Sequence, residues 1–400
     1  MLTDSALRAL ADRFGTPLYV FDDRALVQRV RYLRKALPAR VGICFAIKAN
    51  PFVLPALEPL VDRLEVCSPG EYRICRALGL PHDKIVVSGV HKDIQTVSSA
   101  VSERQAPAAV TIESVSQLDL VLHQAATHSA RVPVLLRLSS GNQFGMGRDD
   151  VKAAVTRLRH NGRVRLAGLQ FFSGTQKNSL KRLARELRGL DAFIQELEQD
   201  CGWRVPELEF GPGFPVSYFA HDDFDEKEFL AEFSALIEGM SFQGHIMLEL
   251  GRSLTASCGT YLTRVVDAKV NAGQRYAIVD GGMHQLVYFG QSMAMKQPCC
   301  HLLGADDENA APADEELWNI CGSLCTVNDI LAKQLPLSGL EQGSILAFEN
   351  AGAYCMTEGI SLFLSRDLPR VIMVDEHGAP TLVRDGLRTD ILNTPLFPIR

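Results

Sequence analysis

The amino-acid sequence predicts an α/β chain, a closed (β/α)8 barrel followed by a mainly β domain. Three observations carry this prediction. Between residues 40 and 250, eight short β-branched runs alternate with segments of helical spacing, which is the count a closed parallel barrel needs. The first run leads into FAIKANPF, without the glycine-rich turn that opens a doubly wound sheet. After about residue 255 the helical spacing stops, and β-rich segments separated by glycines or acidic turns take over.

In chain order the barrel runs are VGICFAI (41–47), RLEVC (63–67), KIVVSG (84–89), AAVTIE (108–113), PVLLRL (133–138), VRLAGLQFF (164–172), PELEF (206–210) and GHIMLEL (244–250). Stretches such as VKAAVTRLRH and LKRLARELRGLDAFIQELEQ place apolar residues at helical intervals between them. TYLTRVVDAKV, RYAIVD, GSILAFEN and PRVIMVD read as strands of the β domain, and TPLYVFD near the N terminus offers it one more. The predicted boundaries are an N-terminal segment 1–24 joining the β domain, a barrel over 25–255, and the β domain over 256–400. The acidic run GADDENAAPADEE (304–316) predicts a surface loop.

Composition narrows the function classes. A 400-residue chain with 46% hydrophobic residues can bury a large core, and a formal charge of −6 argues against a nucleic-acid partner. There is no apolar run of membrane-spanning length, and the opening MLTDSALRALADRFG lacks an apolar signal centre, so a cytoplasmic chain is expected. The ten cysteines lie mostly in apolar runs and read as buried thiols rather than a disulfide framework. No C-x-x-C pair occurs, and Cys321 and Cys325 have no histidine at finger-like distance, so no metal site is expected.

Chemistry in such a barrel sits at the C-terminal ends of its strands. Lys48 follows the first run directly, at the edge of an apolar strand where desolvation favours a neutral amine able to form a Schiff base. On position alone, a lysine that merely reaches solvent is the commoner outcome. The seventh and eighth runs lead into Gly211-Pro212-Gly213-Phe214 and Gly251-Arg252-Ser253, the two places where these barrels often bind phosphate. Glycines there let backbone N–H groups approach an anion, and Arg252 can add a cation. A phosphorylated aldehyde held by a lysine points to pyridoxal 5′-phosphate. Glu249 ends the eighth strand, where a carboxylate could keep a pyridine nitrogen protonated, although an ordinary ion pair is equally compatible with its spacing.

FAIKAN, CSPGE (67–71), SGTQ (173–176), GPGF (211–214), ELGR (249–252), DGGM (280–283), CGSLC (321–325) and GAY (352–354) occur in that order. Together they resemble the motifs of the fold-type III pyridoxal-phosphate decarboxylases, the family of diaminopimelate, ornithine and arginine decarboxylases. The resemblance covers nearly the whole chain. It implies a head-to-tail homodimer whose active sites use residues of both subunits. It implies that Lys48 carries the cofactor and that Glu249 meets its ring nitrogen. Thr175, Gly211, Gly213, Gly251, Arg252 and Tyr354 are the implied phosphate or cofactor contacts. Cys325 is the implied proton donor to Cα after CO2 leaves, supplied by the other subunit; a thiol suits that role near neutral pH.

Three departures from the family pattern bear on the substrate. The residue stacking on the cofactor ring is usually a histidine in an H-x-H-x-G-S pattern. Here the segment is Gln170-Phe171-Phe172-Ser173-Gly174-Thr175, and Phe172 takes that place. Phenyl can stack, but it neither hydrogen-bonds nor titrates. Diaminopimelate and ornithine decarboxylases carry an acid after the cysteine, whereas this chain has Thr326, with Asp329 nearby. Diaminopimelate decarboxylases follow DGGM with an arginine-proline segment. This chain reads HQLVYFGQSM (284–293), with Tyr288 near the arginine's place and Gln285 and Gln291 available to a neutral group. Arg252, Tyr288, Thr326 and Asp329 are thus the expected substrate contacts. The pattern is similar to branches acting on siderophore, antibiotic or carrier-protein-bound intermediates.

The expected function is pyridoxal-phosphate-dependent α-decarboxylation of an amino acid or an amino-acid-derived intermediate, with an altered substrate. A true meso-diaminopimelate decarboxylase making L-lysine is the alternative within the family. An alanine-racemase-like enzyme would want an arginine at the ring nitrogen and a tyrosine base, which Glu249 and Cys325 oppose. A non-catalytic cofactor carrier would need no second domain.

Overall fold

The computed structural model describes residues 2–289, 293–304 and 314–396. Gln291 and most of the acidic run expected as a loop, 305–313, lie outside the described residues. The chain forms two compact units, one of Val30–Pro215 with Phe224–Leu254, the other of Met1–Arg29, Val216–Asp223 and Thr255–Arg400.

After β1 (Leu18–Asp22), which belongs to the second unit, eight strands make the first. They are β2 (Val41–Ala46), β3 (Arg63–Val66), β4 (Ile85–Val87), β5 (Ala109–Ile112), β6 (Val132–Arg137), β7 (Val164–Phe172), β8 (Glu207–Gly211) and β9 (His245–Leu250). Each pairs in parallel with the next, and β9 returns to β2 with Glu249 beside Cys44, closing the barrel. Most of these strands are buried at nearly every position, as a parallel sheet covered on both faces requires. The small side chains Cys44, Val86, Ala109 and Ala167 cluster with Leu135 and Met247 in the core.

Side-chain caps fix where the outer helices begin. Ser68, Ser114, Ser179 and Asp225 each accept a hydrogen bond from the backbone N–H three residues on, satisfying a donor that the helix leaves open. In a parallel barrel each of these starts lies at the mouth, because the strand feeding it ends there.

The second unit is a nine-stranded mixed sheet with the path β14-β13-β11-β10-β1-β16-β17. Its strands are β10 (Gly259–Asn271), β11 (Gln274–Val279), β12 (Cys300–Leu302), β13 (Glu315–Cys321), β14 (Ile330–Ser338), β15 (Ile345–Phe348), β16 (Arg370–Val374) and β17 (Pro380–Arg384), together with β1. β12 and β15 extend it from β10. The N-terminal strand β1 sits mid-sheet, antiparallel to β10 and parallel to β16. Leu18, Val20, Leu262, Ile345 and Ile372 pack there with Leu7 and Leu10 of the first helix. β12, β13, β14 and β17 were not read from the sequence. Pro336 interrupts the ILAKQLPLS run, and it is tolerated because β14 is an edge strand.

Residues 216–223, expected within the barrel, belong to the sheet unit instead. Tyr218 is buried with its ring 5.1 Å from that of Tyr288, and Asn350 Nδ2 donates to the Ser217 carbonyl at 3.1 Å. Aromatic burial holds this segment in a way that strand and helix periodicity does not reveal.

Candidate active site

Lys48 sits in a short 3-10 turn, Ile47–Ala49, immediately after β2. Its Nζ donates to Glu65 Oε2 at 2.6 Å and lies 3.5 Å from Glu249 Oε1 and 3.4 Å from Cys67 Sγ. The barrel register explains the convergence. β3 and β9 flank β2, with Glu65 paired to Ala46 and Glu249 to Cys44, so both neighbours deliver a carboxylate to the end of the lysine's own strand. This corrects the expectation of a merely desolvated amine. The Lys48 side chain is 37% exposed and is held by two buried carboxylates.

The carboxylates are driven apart. Burial pushes Glu249 up, the adjacent Glu65 charge adds to the effect, and Lys48 opposes it, leaving Glu249 at about 7. Burial would also raise Glu65, but the Lys48 charge and hydrogen bonds from Glu249, Lys48 and Cys67 outweigh it and hold Glu65 ionised. Gln170 Nε2 donates to Glu249 Oε2 at 2.9 Å and fixes that carboxyl group from β7. Deeper in the barrel, Glu209 is fully buried 3.6 Å from Arg63, and burial raises it well above the carboxylate range.

Phe172 ends β7 and Gly211 ends β8, side by side in register. A Cβ on Gly211 would stand 2.3 Å from the Phe172 ring, so only glycine lets that ring lie there. Gly213 has φ +62, and a Cβ there would meet the Gly174 carbonyl at 2.1 Å. The Lys177 backbone N–H donates to the Gly213 carbonyl at 2.9 Å, and its Nζ reaches Ser173 Oγ and Glu186 Oε2 at 2.9 Å each. Two loops, 173–175 and 211–213, therefore meet backbone to backbone at the mouth, with Thr175 exposed. Gly251 precedes the helical turn Arg252–Thr255, where Arg252 is buried.

These residues fit a phosphorylated aldehyde cofactor. Lys48 supplies the amine, Glu249 a carboxyl group for a ring nitrogen, Phe172 an apolar face, and the glycines of the two loops a backbone cradle for phosphate.

Sequence reasoning missed several residues that the barrel brings to its mouth. Glu65 and Cys67 are two. Arg137 and Glu113 are others, a buried pair at 3.2 Å at the ends of β6 and β5, with the guanidinium 4.8 Å over the Phe144 ring. Lys92 donates to the Gly89 carbonyl and Gln117 Oε1, and burial pulls its ammonium down to about 8. The available signal was a charged residue near the end of an otherwise apolar barrel strand.

The remaining expected residues lie in the sheet unit. Cys325 is exposed, as is its near neighbour Val327 at 89%. Asp329 anchors their loop: its carboxylate accepts from the backbone N–H groups of Met283 at 2.7 Å and Leu324 at 2.8 Å. Asp329 was expected to meet a substrate cation, but the backbone already engages it. Thr326 Oγ1 accepts from the Asn328 N–H at 3.4 Å within the same turn. Tyr288, expected beside a substrate, is also corrected: it is fully buried against Tyr218 and Phe219, and its hydroxyl donates to the Glu349 carbonyl. Gln285 is buried between the Tyr261 hydroxyl and the Asp367 carbonyl, leaving it no role with a ligand. Tyr354 is half-buried with φ +63, a conformation that strains a tyrosine and often marks a functional position.

Barrel, lysine, paired carboxylates and glycine cradle define a pyridoxal-phosphate enzyme with an appended sheet domain. Residues 18–352 match the family model described as pyridoxal-dependent decarboxylase, C-terminal sheet domain, and the chain belongs to that family. It is 30% identical over 370 residues to a diaminopimelate decarboxylase of Pseudomonas fluorescens, covering 87% of this chain and 85% of that protein. It is 25% identical over 421 residues to the L-glutamyl-[BtrI acyl-carrier protein] decarboxylase of Niallia circulans, covering 99% and 97%. The fold is similar to that of diaminopimelate decarboxylase from M. jannaschii in complex with L-lysine, with a TM-score of 0.85, 22% identity, and coverage of 98% and 94%. The chain is a pyridoxal-phosphate-dependent carboxy-lyase resembling diaminopimelate decarboxylase.

Proposed function

We propose that this carboxy-lyase acts on an amino-acid-derived substrate whose distal end is neutral, amide-linked or tethered to a carrier protein, rather than on free meso-diaminopimelate. The observation that carries this reading is the missing distal grip. Thr326 stands where the family has an acid, Tyr288 is packed away, and Asp329 is engaged by backbone amides. Similarity to a decarboxylase named for a carrier-protein substrate supports the same reading.

Pyridoxal phosphate, when bound, supplies the sink for the electron pair left as the Cα–carboxylate bond breaks. Lys48 would hold the cofactor through its amine. Glu249, fixed by Gln170, would meet the ring nitrogen and, when ionised, would favour its protonation. Glu65 takes the Lys48 ammonium whenever the lysine is released. Phe172 would offer the ring an apolar face and adds no titrating group.

Cys325 of a second copy returns the proton to Cα. An exposed thiol beside an exposed Val327, and the exposed run Ile360, Leu362, Phe363 and Leu364, support a homodimer that covers these groups.

The test is a comparison of kcat/KM, read as CO2 release, for meso-diaminopimelate, lysine, ornithine, glutamate and amide-linked or pantetheine-linked amino acids. Losing two charge-assisted hydrogen bonds of about 1.5–3 kcal/mol each lowers efficiency on meso-diaminopimelate by a few hundred-fold or more. If meso-diaminopimelate instead ranks first, with the efficiency of a dedicated enzyme, the substrate reading is wrong and the decarboxylase assignment stands.

A further inference from the structure

We propose that the N-terminal half of the helix Leu180–Cys201 is a docking face for an acidic, helical carrier protein that delivers the tethered substrate. This rests on the tethered-substrate reading above. Lys181, Arg185 and Arg188 follow one another at i, i+4 and i+7, so they form one stripe about 10 Å long on one face of the helix. All three are exposed, and none has an ion-pair partner among the described residues.

The two halves of this helix are treated differently. In the acidic half, Glu196 and Asp200 pair with Arg148 and Lys152, and Asp191 accepts from the backbone of Ser241 and Phe242. In the basic half, among the described residues, only Arg182 is paired, with Glu186. Residues 173–189 hold five cations and one anion in a chain whose net charge is −6.

The stripe is also misplaced for stability. No acid occupies the first turn, and Lys181 and Arg182 stand where the positive end of the helix dipole disfavours cations. Uncompensated charge kept against the dipole fits an anionic partner better than a fold requirement. The helix starts at the barrel mouth, eight residues after Phe172 ends its strand, so a partner seated there has its arm beside Lys48's opening. A pantetheine arm presents neutral amides, which suits a site without charged distal grips.

The experiment uses the holoenzyme and its Lys181→Glu/Arg185→Glu/Arg188→Glu variant. The probes are a phosphopantetheinylated type II acyl-carrier protein charged with L-glutamate, and glutamyl-pantetheine alone. Carrier affinity is measured by calorimetry at low and high salt, and CO2 release is measured from both probes. The wild type should bind the carrier with an affinity that falls with salt. An exposed pair contributes up to about fivefold, so the variant should bind roughly 100-fold more weakly.

The variant should still trap cofactor on Lys48 with borohydride, and should melt no lower than wild type, since acids suit a helix start. Salt-insensitive binding, no binding by wild type, or equal binding by the variant overturns the docking face. Equal competition by a short DNA duplex also overturns it, because it would mark plain polyanion attraction. Stripe-dependent binding without CO2 from either probe supports the docking face and counts against the substrate reading instead.

Discussion

Lys48 Nζ lies 2.6 Å from Glu65 Oε2, nearer than to Glu249 Oε1 at 3.5 Å. A carboxylate on the adjacent strand that no motif flagged thus holds the lysine more closely than Glu249 does. Glu65 holds a charged amine at the barrel mouth and, through its hydrogen bond with Glu249, leaves the spare proton on Glu249.

Glu65→Gln removes one charge of that arrangement while keeping its shape. Breaking a buried pair from one side costs about 3 kcal/mol or more, reduced here because Lys48 is partly exposed and Glu249 remains. We expect the cofactor-free protein to lose about 1–3 kcal/mol in denaturant unfolding, and the loaded enzyme to lose less, since the loaded lysine no longer carries a free ammonium. An equal loss in both forms would assign Glu65 to packing alone.

Glu249, raised from the ordinary 4.5 to about 7 by burial and then by the neighbouring Glu65 charge, contributes one share of the pH dependence of the cofactor-free protein, beside other carboxyl groups that burial raises, such as Asp23 at about 6. The folded state binds the Glu249 proton more tightly than the unfolded state. Its contribution is fully present below about pH 4.5 and is lost as pH rises through 7, with an upper bound of about 3 kcal/mol. Glu65 is lowered, so its contribution is present above 4.5 and disappears only at more acid pH, outside that window. Glu249→Gln should therefore make stability fall less between pH 4.5 and 7 than in wild type, measured by urea unfolding at a series of pH values. An unchanged slope would place the proton on another group.

Much of the barrel was legible because its strands are buried on both faces and read as continuous apolar runs. Lys48, Glu249 and the two glycine loops were legible because strand ends locate the mouth. What escaped depends on register and on distant packing. Glu65 sits inside RLEVC, where a lone acid resembles ordinary alternation until β3 is set beside β2. Tyr288 was misread because its segment has no secondary structure to orient it, and the Tyr218 ring that buries it is 70 residues away in sequence.

The homodimer proposal has a direct test in mixed subunits. Lys48→Ala leaves the thiol intact, and Cys325→Ala leaves the lysine intact. If Cys325 acts in the partner's barrel, a mixed dimer regains one complete site. Activity should recover to about a quarter of wild type after random exchange, since half of the dimers are mixed and each has one working site of two. Proven exchange without recovery would mean that each chain completes its own site.

The final prediction concerns how the Cys325 loop is held. Gly322 leaves no space for a side chain, because a Cβ there would stand 2.2 Å from Asp329 Oδ2. Asp329 in turn ties the loop to Met283 and Leu324. Gly322→Ala must push the carboxylate off those N–H groups, and Asp329→Asn leaves an amide NH2 that cannot accept from one of them, each at a cost of about 1–3 kcal/mol. Both variants should bind pyridoxal phosphate as wild type does, because Lys48 and the glycine cradle lie in the other unit. Their kcat should fall tenfold or more, with proton delivery the impaired step, so a solvent isotope effect on turnover should grow. A normal kcat in Gly322→Ala would show that the loop tolerates displacement and that the thiol's placement is not what sets the rate.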